Sequence, residues 1–192
     1  TYTWTPATGL SATSGSVVTA NPTSDQAYTI TGTIGTCTAS AIATVTVIAN
    51  PTVTVNSATV CAGSSTTLTP GGANTYIWFP STGLTLGGGN IATASPANTT
   101  TYTVIGSIST CTNSATAIVT VNPLPSVSAG LDAAICKGDS AHLSASGADT
   151  YVWSPATGLN NITIYNPTAS PNSITIYTVV GTNTVTGCSK SD

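Results

Sequence analysis

Residues 1–10 read TYTWTPATGL, and the same decapeptide returns as TYIWFPSTGL at residues 75–84 and as TYVWSPATGL at residues 150–159. The tryptophans of the three copies are separated by 74 and by 75 residues. A fixed period of this kind indicates that one structural unit is written three times along the chain. The three tryptophans are Trp4, Trp78 and Trp153.

Further landmarks keep the same period and define the repeats. A tyrosine opens the motifs YTITG, YTVIG and YTVVG, and cysteines recur in step with it. We therefore divide the chain into repeat 1 (residues 1–50), repeat 2 (residues 51–123) and repeat 3 (residues 124–192). Only repeat 2 carries every landmark, because repeat 1 lacks the first strands of the pattern and repeat 3 lacks the last strand. We expect the 192 residues to be a window onto a longer polypeptide.

Each repeat is expected to form strands. Thr, Val, Ile, Tyr and Trp dominate, and they favour a pleated, half-buried surface. Gly, Pro and Asn interrupt the pattern at short intervals, as in an all-β sandwich of two sheets packed face to face. The strands predicted in repeat 2 lie near residues 52–56, 64–69, 75–79, 91–94, 99–106 and 114–121, with a short one after Leu84.

Period-two alternation assigns the large aromatic side chains to the interior. In residues 75–79 the rings of Tyr76 and Trp78 share one face of the strand. Sugar stacking is the alternative role for the tryptophans, but the W-x-P-x-T-G-L pattern is typical of a strand that runs into a turn. The predicted core residues are Trp4, Trp78, Trp153, Tyr28, Tyr102 and Tyr177.

Charge excludes several classes of function. Only 4% of the residues are charged, and Lys137 and Lys190 are the only basic ones besides His142. A nucleic-acid binder needs basic residues to neutralise phosphates, and a membrane-surface binder needs a basic face. No apolar run reaches the roughly 18 residues of a membrane span. We therefore expect no nucleic-acid partner and no direct insertion into a membrane.

Catalysis, metal binding and cofactor binding are not expected either. His142 is the only histidine, and a triad could be assembled from Asp139, Ser140 and His142, but neighbours on one strand point to opposite faces. The cysteines lack the close pairs of a zinc site. Asp132 and Asp149 have no acidic counterparts in repeat 2, so a calcium site common to the repeats is not expected.

The five cysteines are expected to form disulfides inside repeats. Cys61 precedes the second predicted strand of repeat 2, and Cys111 lies between the last two. We predict the bridges Cys61–Cys111 and Cys136–Cys188, which leaves Cys37 with a partner outside the chain. Each bridge closes about 50 residues and should stabilise its repeat by roughly 4 kcal/mol. Disulfides indicate an oxidising compartment, so the protein is expected outside the cell.

Two stretches of repeat 2 carry a resemblance to a known class. They are CAGSSTTLTPGGANTYIWFPSTGL at residues 61–84 and TASPANTTTYTVIGSISTCTNSATAIVTVNPLP at residues 93–125. They resemble the immunoglobulin-like or PKD-like tandem repeats of large secreted surface proteins of Bacteroidota, including the gliding-motility adhesins exported by type IX secretion. The resemblance implies stacked β-sandwiches at the cell surface, arranged as an elongated rod.

The function expected from these observations is that of a non-catalytic structural or adhesive segment, a stalk or adhesin that can belong to a surface filament. Its partners would be neighbouring repeats, surface polysaccharide or other copies of the protein. The alternative is a carbohydrate-binding or spacer module of a secreted multidomain hydrolase. Its aromatic platform would use Phe79, Ile77 or Tyr165, which do not recur between repeats.

Overall fold

The structure is a computed structural model that describes residues 1–88 and 90–192. In this described part the chain forms fifteen strands, one short 3-10 turn at Gly88–Asn90 and no α-helix. The strands are β1 (Tyr2–Thr5), β2 (Gln26–Ile34), β3 (Cys37–Val45), β4 (Ala58–Cys61), β5 (Thr66–Leu68), β6 (Thr75–Phe79), β7 (Leu84–Leu86), β8 (Ala92–Ala94), β9 (Thr100–Ile108), β10 (Cys111–Asn122), β11 (Ala141–His142), β12 (Thr150–Ser154), β13 (Thr168–Ala169), β14 (Thr178–Thr182) and β15 (Ser189–Ser191).

The strands are distributed over two compact units. The first unit comprises Thr1–Pro51 together with Ser107–Asn113, and the second comprises Thr52–Gly106 together with Ser114–Asp192. The second unit therefore contains nearly all of repeats 2 and 3.

The first unit is built on the antiparallel sheet β1-β2-β3. Trp4 of β1 lies opposite Ile30 of β2, and Tyr28 of β2 lies opposite Ala43 of β3. Tyr28 is fully buried, and Trp4 is half-buried. β3 is an outer strand of this sheet and so forms an edge, and its side chains are exposed along almost its whole length.

Repeat 2 forms a sandwich of two sheets. One sheet has the order β4-β10-β9-β6 and the other has the order β5-β8-β7. The core between them draws on both sheets, with Leu68 from β5 and Trp78, Tyr102 and Val119 from the larger sheet. Each fully buried side chain of this size contributes about 2–3 kcal/mol, so these residues hold the two sheets together.

Repeat 3 repeats this architecture with shorter strands. Its sheets have the orders β12-β14-β15 and β11-β13, and its core contains Trp153, Tyr151 and Val179. Residues 131–136, which align with the region of β4 in repeat 2, form no strand.

The strands of repeat 2 follow the sequence prediction with one shift. The stretch 52–56 contains only an isolated bridge, between Thr54 and Gly71, while residues 58–61 form β4. The reason is pairing, because β4 runs parallel to the end of β10, with Ala58 opposite Val119 and Cys61 opposite Asn122. A parallel neighbour far along the chain leaves no trace in local alternation.

Candidate functional site

A tyrosine hydroxyl closes the same turn in all three repeats. Tyr28 donates to the Thr8 carbonyl at 2.8 Å, and Tyr102 donates to the Thr82 carbonyl at 2.9 Å. The third equivalent bond, 2.8 Å long, runs from Tyr177 to the carbonyl of Thr157. The tyrosine of the Y-T-x-x-G motif therefore holds the threonine of the T-G-L motif.

The tryptophans lie in or against the interior. Trp78 is 6% exposed and Trp153 is 2% exposed, whereas Trp4 is half-buried. The indole Nε1 groups of Trp4 and Trp153 donate to the carbonyls of Gly15 and Ile164, each at 3.0 Å. The buried rings of Trp78 and Trp153 therefore offer no face for sugar stacking.

The glycine that ends the Y-T-x-x-G motif makes room for a valine. A Cβ on Gly106 would lie 2.6 Å from Cγ2 of Val53, and a Cβ on Gly181 would lie 2.6 Å from Cγ2 of Val127. Any larger residue would push this valine out of the core. Packing against a valine thus explains the glycine of the motif in repeats 2 and 3.

The disulfide differs from both bridges that the sequence predicts. The structure joins Cys61 to Cys188, with the Cα atoms 5.6 Å apart, so the bond links repeat 2 to repeat 3. Cys61 lies opposite Asn122, which ends β10, whereas Cys111 begins β10 and belongs to the first unit. The predicted Cys61–Cys111 and Cys136–Cys188 pairs are therefore replaced by a bond between repeats.

Three thiols remain free among the described residues. Cys37 and Cys136 are exposed, and Cys111 is partly buried. The Cys111 Sγ–H donates to the Ile48 carbonyl at 3.4 Å, and the nearby Asn113 side chain donates to the Pro51 carbonyl at 3.0 Å. Within the first unit, the tip of the β9–β10 hairpin is therefore fixed against residues 48–51.

Repeat 3 contains an open cleft lined by both apolar and polar residues. Its volume is ≈ 620 Å³, and its lining includes Leu131, Ile135, Ile174 and Ile176. Leu131 is 96% exposed and Ile174 is 100% exposed. In repeat 2, the regions aligned with this cleft contain β4 and the start of β9.

The side chains of the candidate aromatic platform are exposed, but they belong to two different repeats. Ile77 and Phe79 alternate along β6 and are 58% and 55% exposed, so they lie on the outer face of the sandwich. Tyr165 belongs to repeat 3 and is 57% exposed.

Two of the polar residues considered for catalysis or calcium, His142 and Asp149, have structural partners. His142 Nδ1 lies 3.2 Å from the Thr168 hydroxyl, across the β11–β13 pair. Asp149 accepts hydrogen bonds from the backbone and the hydroxyl of Thr184, at 2.8 and 3.2 Å. In the described part of the chain, no cluster of three His, Cys, Asp or Glu side chains could hold a metal ion.

One titratable group is clearly perturbed. Burial raises the pKa of the Tyr102 phenol above its ordinary value, and a side-chain hydrogen bond with Thr100 opposes this shift. The phenol therefore stays neutral and keeps donating to Thr82, which is a structural role.

Comparison with known proteins shows the fold. No family model and no curated protein matches the chain. A structure of three titin immunoglobulin domains matches 100% of this chain and 85% of its own length, at 12% identity and a TM-score of 0.51. At this identity the likeness shows that the chain is a tandem of immunoglobulin-like β-sandwich domains, and no more.

Two other matches are weaker. Immunoglobulin domains 1–5 of Sidekick-1 match 99% of this chain and 50% of that chain, at 14% identity and a TM-score of 0.40. Extracellular domains 3–5 of Drosophila OTK match 86% of this chain and 68% of that chain, at 10% identity and a TM-score of 0.43. Separately, no helix in the part of the chain described here has the length and apolar character needed to cross a membrane.

Proposed function

We propose that this chain is a non-catalytic structural or adhesive segment of a large extracellular surface protein, where it acts as a stalk or adhesin. The observation that carries the proposal is the Cys61–Cys188 disulfide, which links repeat 2 to repeat 3. A bond between repeats keeps neighbouring domains together under tension, and it forms in an oxidising compartment.

The repeated interior supports the same role. Every repeat closes its Y-T-x-x-G tyrosine onto its own T-G-L turn, so length can grow by duplication without redesign of the core. Residues 1–50, 51–123 and 124–192 are the proposed modules. With 4% charged residues, the surface barely repels neutral polysaccharide or other copies of the protein. These are the proposed partners, together with neighbouring repeats.

The sequence resembles the tandem repeats of large secreted surface proteins of Bacteroidota, which include the gliding-motility adhesins exported by type IX secretion. This resemblance supports the proposed role, and a surface filament is one setting for it. The prolines at the repeat boundaries, Pro51, Pro123 and Pro125, favour a semi-rigid rod.

Small-angle X-ray scattering of the oxidised protein tests this function. A compact globule of 192 residues would have a radius of gyration of about 16 Å. The proposal predicts a clearly larger value and the distance distribution of a rod. A radius near that of the globule would contradict the stalk role.

A carbohydrate-binding module of a secreted hydrolase is the second candidate, and the exposure of Ile77 and Phe79 favours it. The test is glycan binding by the protein and by Phe79→Ser, which carries the residue that repeat 3 has at the aligned position, Ser154. Binding that this variant loses, with its thermal stability retained, would support the candidate. The absence of binding to any glycan would remove it.

A further inference from the structure

The observed disulfide has a counterpart in the repeat pattern. Cys188 and Cys111 occupy the same position of the repeat, and both follow the penultimate strand of their repeats. Cys188 is bonded to Cys61, which lies opposite Asn122 at the end of β10. Cys111 is partly buried and forms no disulfide. Its surroundings can therefore be compared with those of the bonded Cys188.

These surroundings match the bonded site. Cys111 donates to the carbonyl of Ile48, and Ile48 aligns with Asn122, the β-partner of Cys61. At the bonded site, the Asn122 carbonyl accepts a hydrogen bond of 2.8 Å from the backbone of Ala62, the residue after Cys61. The Cys111 thiol therefore lies beside the Ile48 carbonyl. This carbonyl is the counterpart of the Asn122 carbonyl, which at the bonded site pairs with the strand that carries Cys61.

We propose that Cys111 forms a further disulfide between repeats. Its partner is a cysteine at the end of a strand of the β4 type, and this strand pairs in parallel with residues 45–48. In repeat 2 the equivalent register pairs Ala58, Thr59, Val60 and Cys61 with residues 119–122. Residues 45–47 align with residues 119–121, and β3 presents an open edge that ends at Val45. This inference goes beyond the proposed function, with which it shares the Cys61–Cys188 bond as an observation.

The bond forms by thiol–disulfide exchange. The Cys111 thiolate attacks the sulfur of a peptide cysteine held as a mixed disulfide with glutathione. A new S–S bond joins Cys111 to the peptide, and glutathione leaves as a thiolate that takes up one proton. Electrons balance without any further oxidant.

The probe is the synthetic peptide SATVCAG, the sequence of residues 57–63, as its glutathione mixed disulfide. It is incubated with the protein that carries the Cys61–Cys188 bond, and the modified thiols are identified by mass spectrometry of non-reduced peptides. We expect Cys111 to capture the probe about tenfold faster than Cys37 or Cys136, because strand pairing raises the local concentration of the probe. Glutathione disulfide alone should prefer the two exposed thiols.

The control peptide is SAPVCAG, in which proline removes a backbone donor from the pairing segment. It should lose the preference for Cys111. A probe that distributes over the thiols according to their exposure, or an SAPVCAG peptide captured equally well, would overturn the proposal.

The chain incubated alone with glutathione disulfide identifies the source of the strand. A Cys111–Cys136 link between two copies would assign it to residues 133–136 of a second copy, and capture of the peptide without this link would assign it to another strand of the β4 type.

Discussion

Repeats 2 and 3 share their motifs but differ in how completely they form strands. In repeat 2, β4 pairs with the end of the twelve-residue β10. In repeat 3, the strand that follows the second cysteine is β15 with three residues, and the segments aligned with β4 and with the start of β9 are irregular. Apolar side chains such as Ile174 and Ile176 are correspondingly exposed there.

The difference shows which parts of the repeat depend on a neighbour. Trp153 and Val179 are buried although the segments of repeat 3 that align with β4 and with the start of β9 form no strand. The central part of the sandwich therefore forms from local hairpins and core packing. The segment 131–136, by contrast, has a sequence similar to that around β4 and yet forms no strand. Strand formation at the edge of the sheet therefore follows from pairing, not from local propensity.

The largest expected effect concerns the two tryptophans of these repeats. Trp78→Ala should lower the free energy of unfolding by about 3–5 kcal/mol, because it empties a closed core. Trp153→Ala should cost less, since its ring borders the open cleft and water can fill the space. Urea unfolding followed by circular dichroism measures both. Equal losses of unfolding free energy would mean that the cleft beside Trp153 does not reduce the cost of removing its ring.

Loss of the disulfide comes next. Cys188→Ser should destabilise the oxidised protein by about 2–4 kcal/mol, because it removes a link across 127 residues. Cys136→Ser is the matched control and should leave stability unchanged, since this thiol is exposed and unbonded. Both variants are compared by thermal unfolding with and without a reductant. Equal destabilisation by the two variants would refute the link between repeats.

The motif glycines give a smaller effect. Gly181→Ala should cost about 1–3 kcal/mol, because the new Cβ would meet Val127 at 2.6 Å. Gly32→Ala in repeat 1 should cost less, since its Cβ would meet the ring of Tyr2 at 3.2 Å, and this side chain is half exposed and can move. Denaturant midpoints check the order. The reverse order would contradict the packing explanation of the motif.

The smallest effect concerns the buried phenol. Tyr102→Phe should cost about 1 kcal/mol through loss of the hydrogen bond to Thr82. Since the native pKa of Tyr102 is raised, its contribution is complete below its ordinary value of about 10 and is lost as the pH rises through the raised native pKa. Stability measured from pH 8 upward should therefore fall less steeply for Tyr102→Phe. Identical slopes would show that Tyr102 ionises alike in both states.

The sequence was sufficient to predict the burial of Trp78 and Tyr102 but not the disulfide. Alternation placed Trp78 and Tyr102 on inward faces because each position in a strand alternates with its neighbours, whatever the tertiary context. The disulfide depends on which strands run side by side, and the parallel pairing of β4 with β10 joins segments about 60 residues apart. Cysteine spacing measures distance along the chain, so it favoured pairs within a repeat.

The bond between Cys61 and Cys188 is the central feature of this molecule. Peptic digestion of the oxidised protein at acidic pH, without reduction, followed by mass spectrometry of the linked peptides, identifies the pairing. We predict one linked species that contains residues from around Cys61 and Cys188, with Cys37, Cys111 and Cys136 as thiols. Linked peptides that join Cys61 to Cys111 and Cys136 to Cys188 would contradict it.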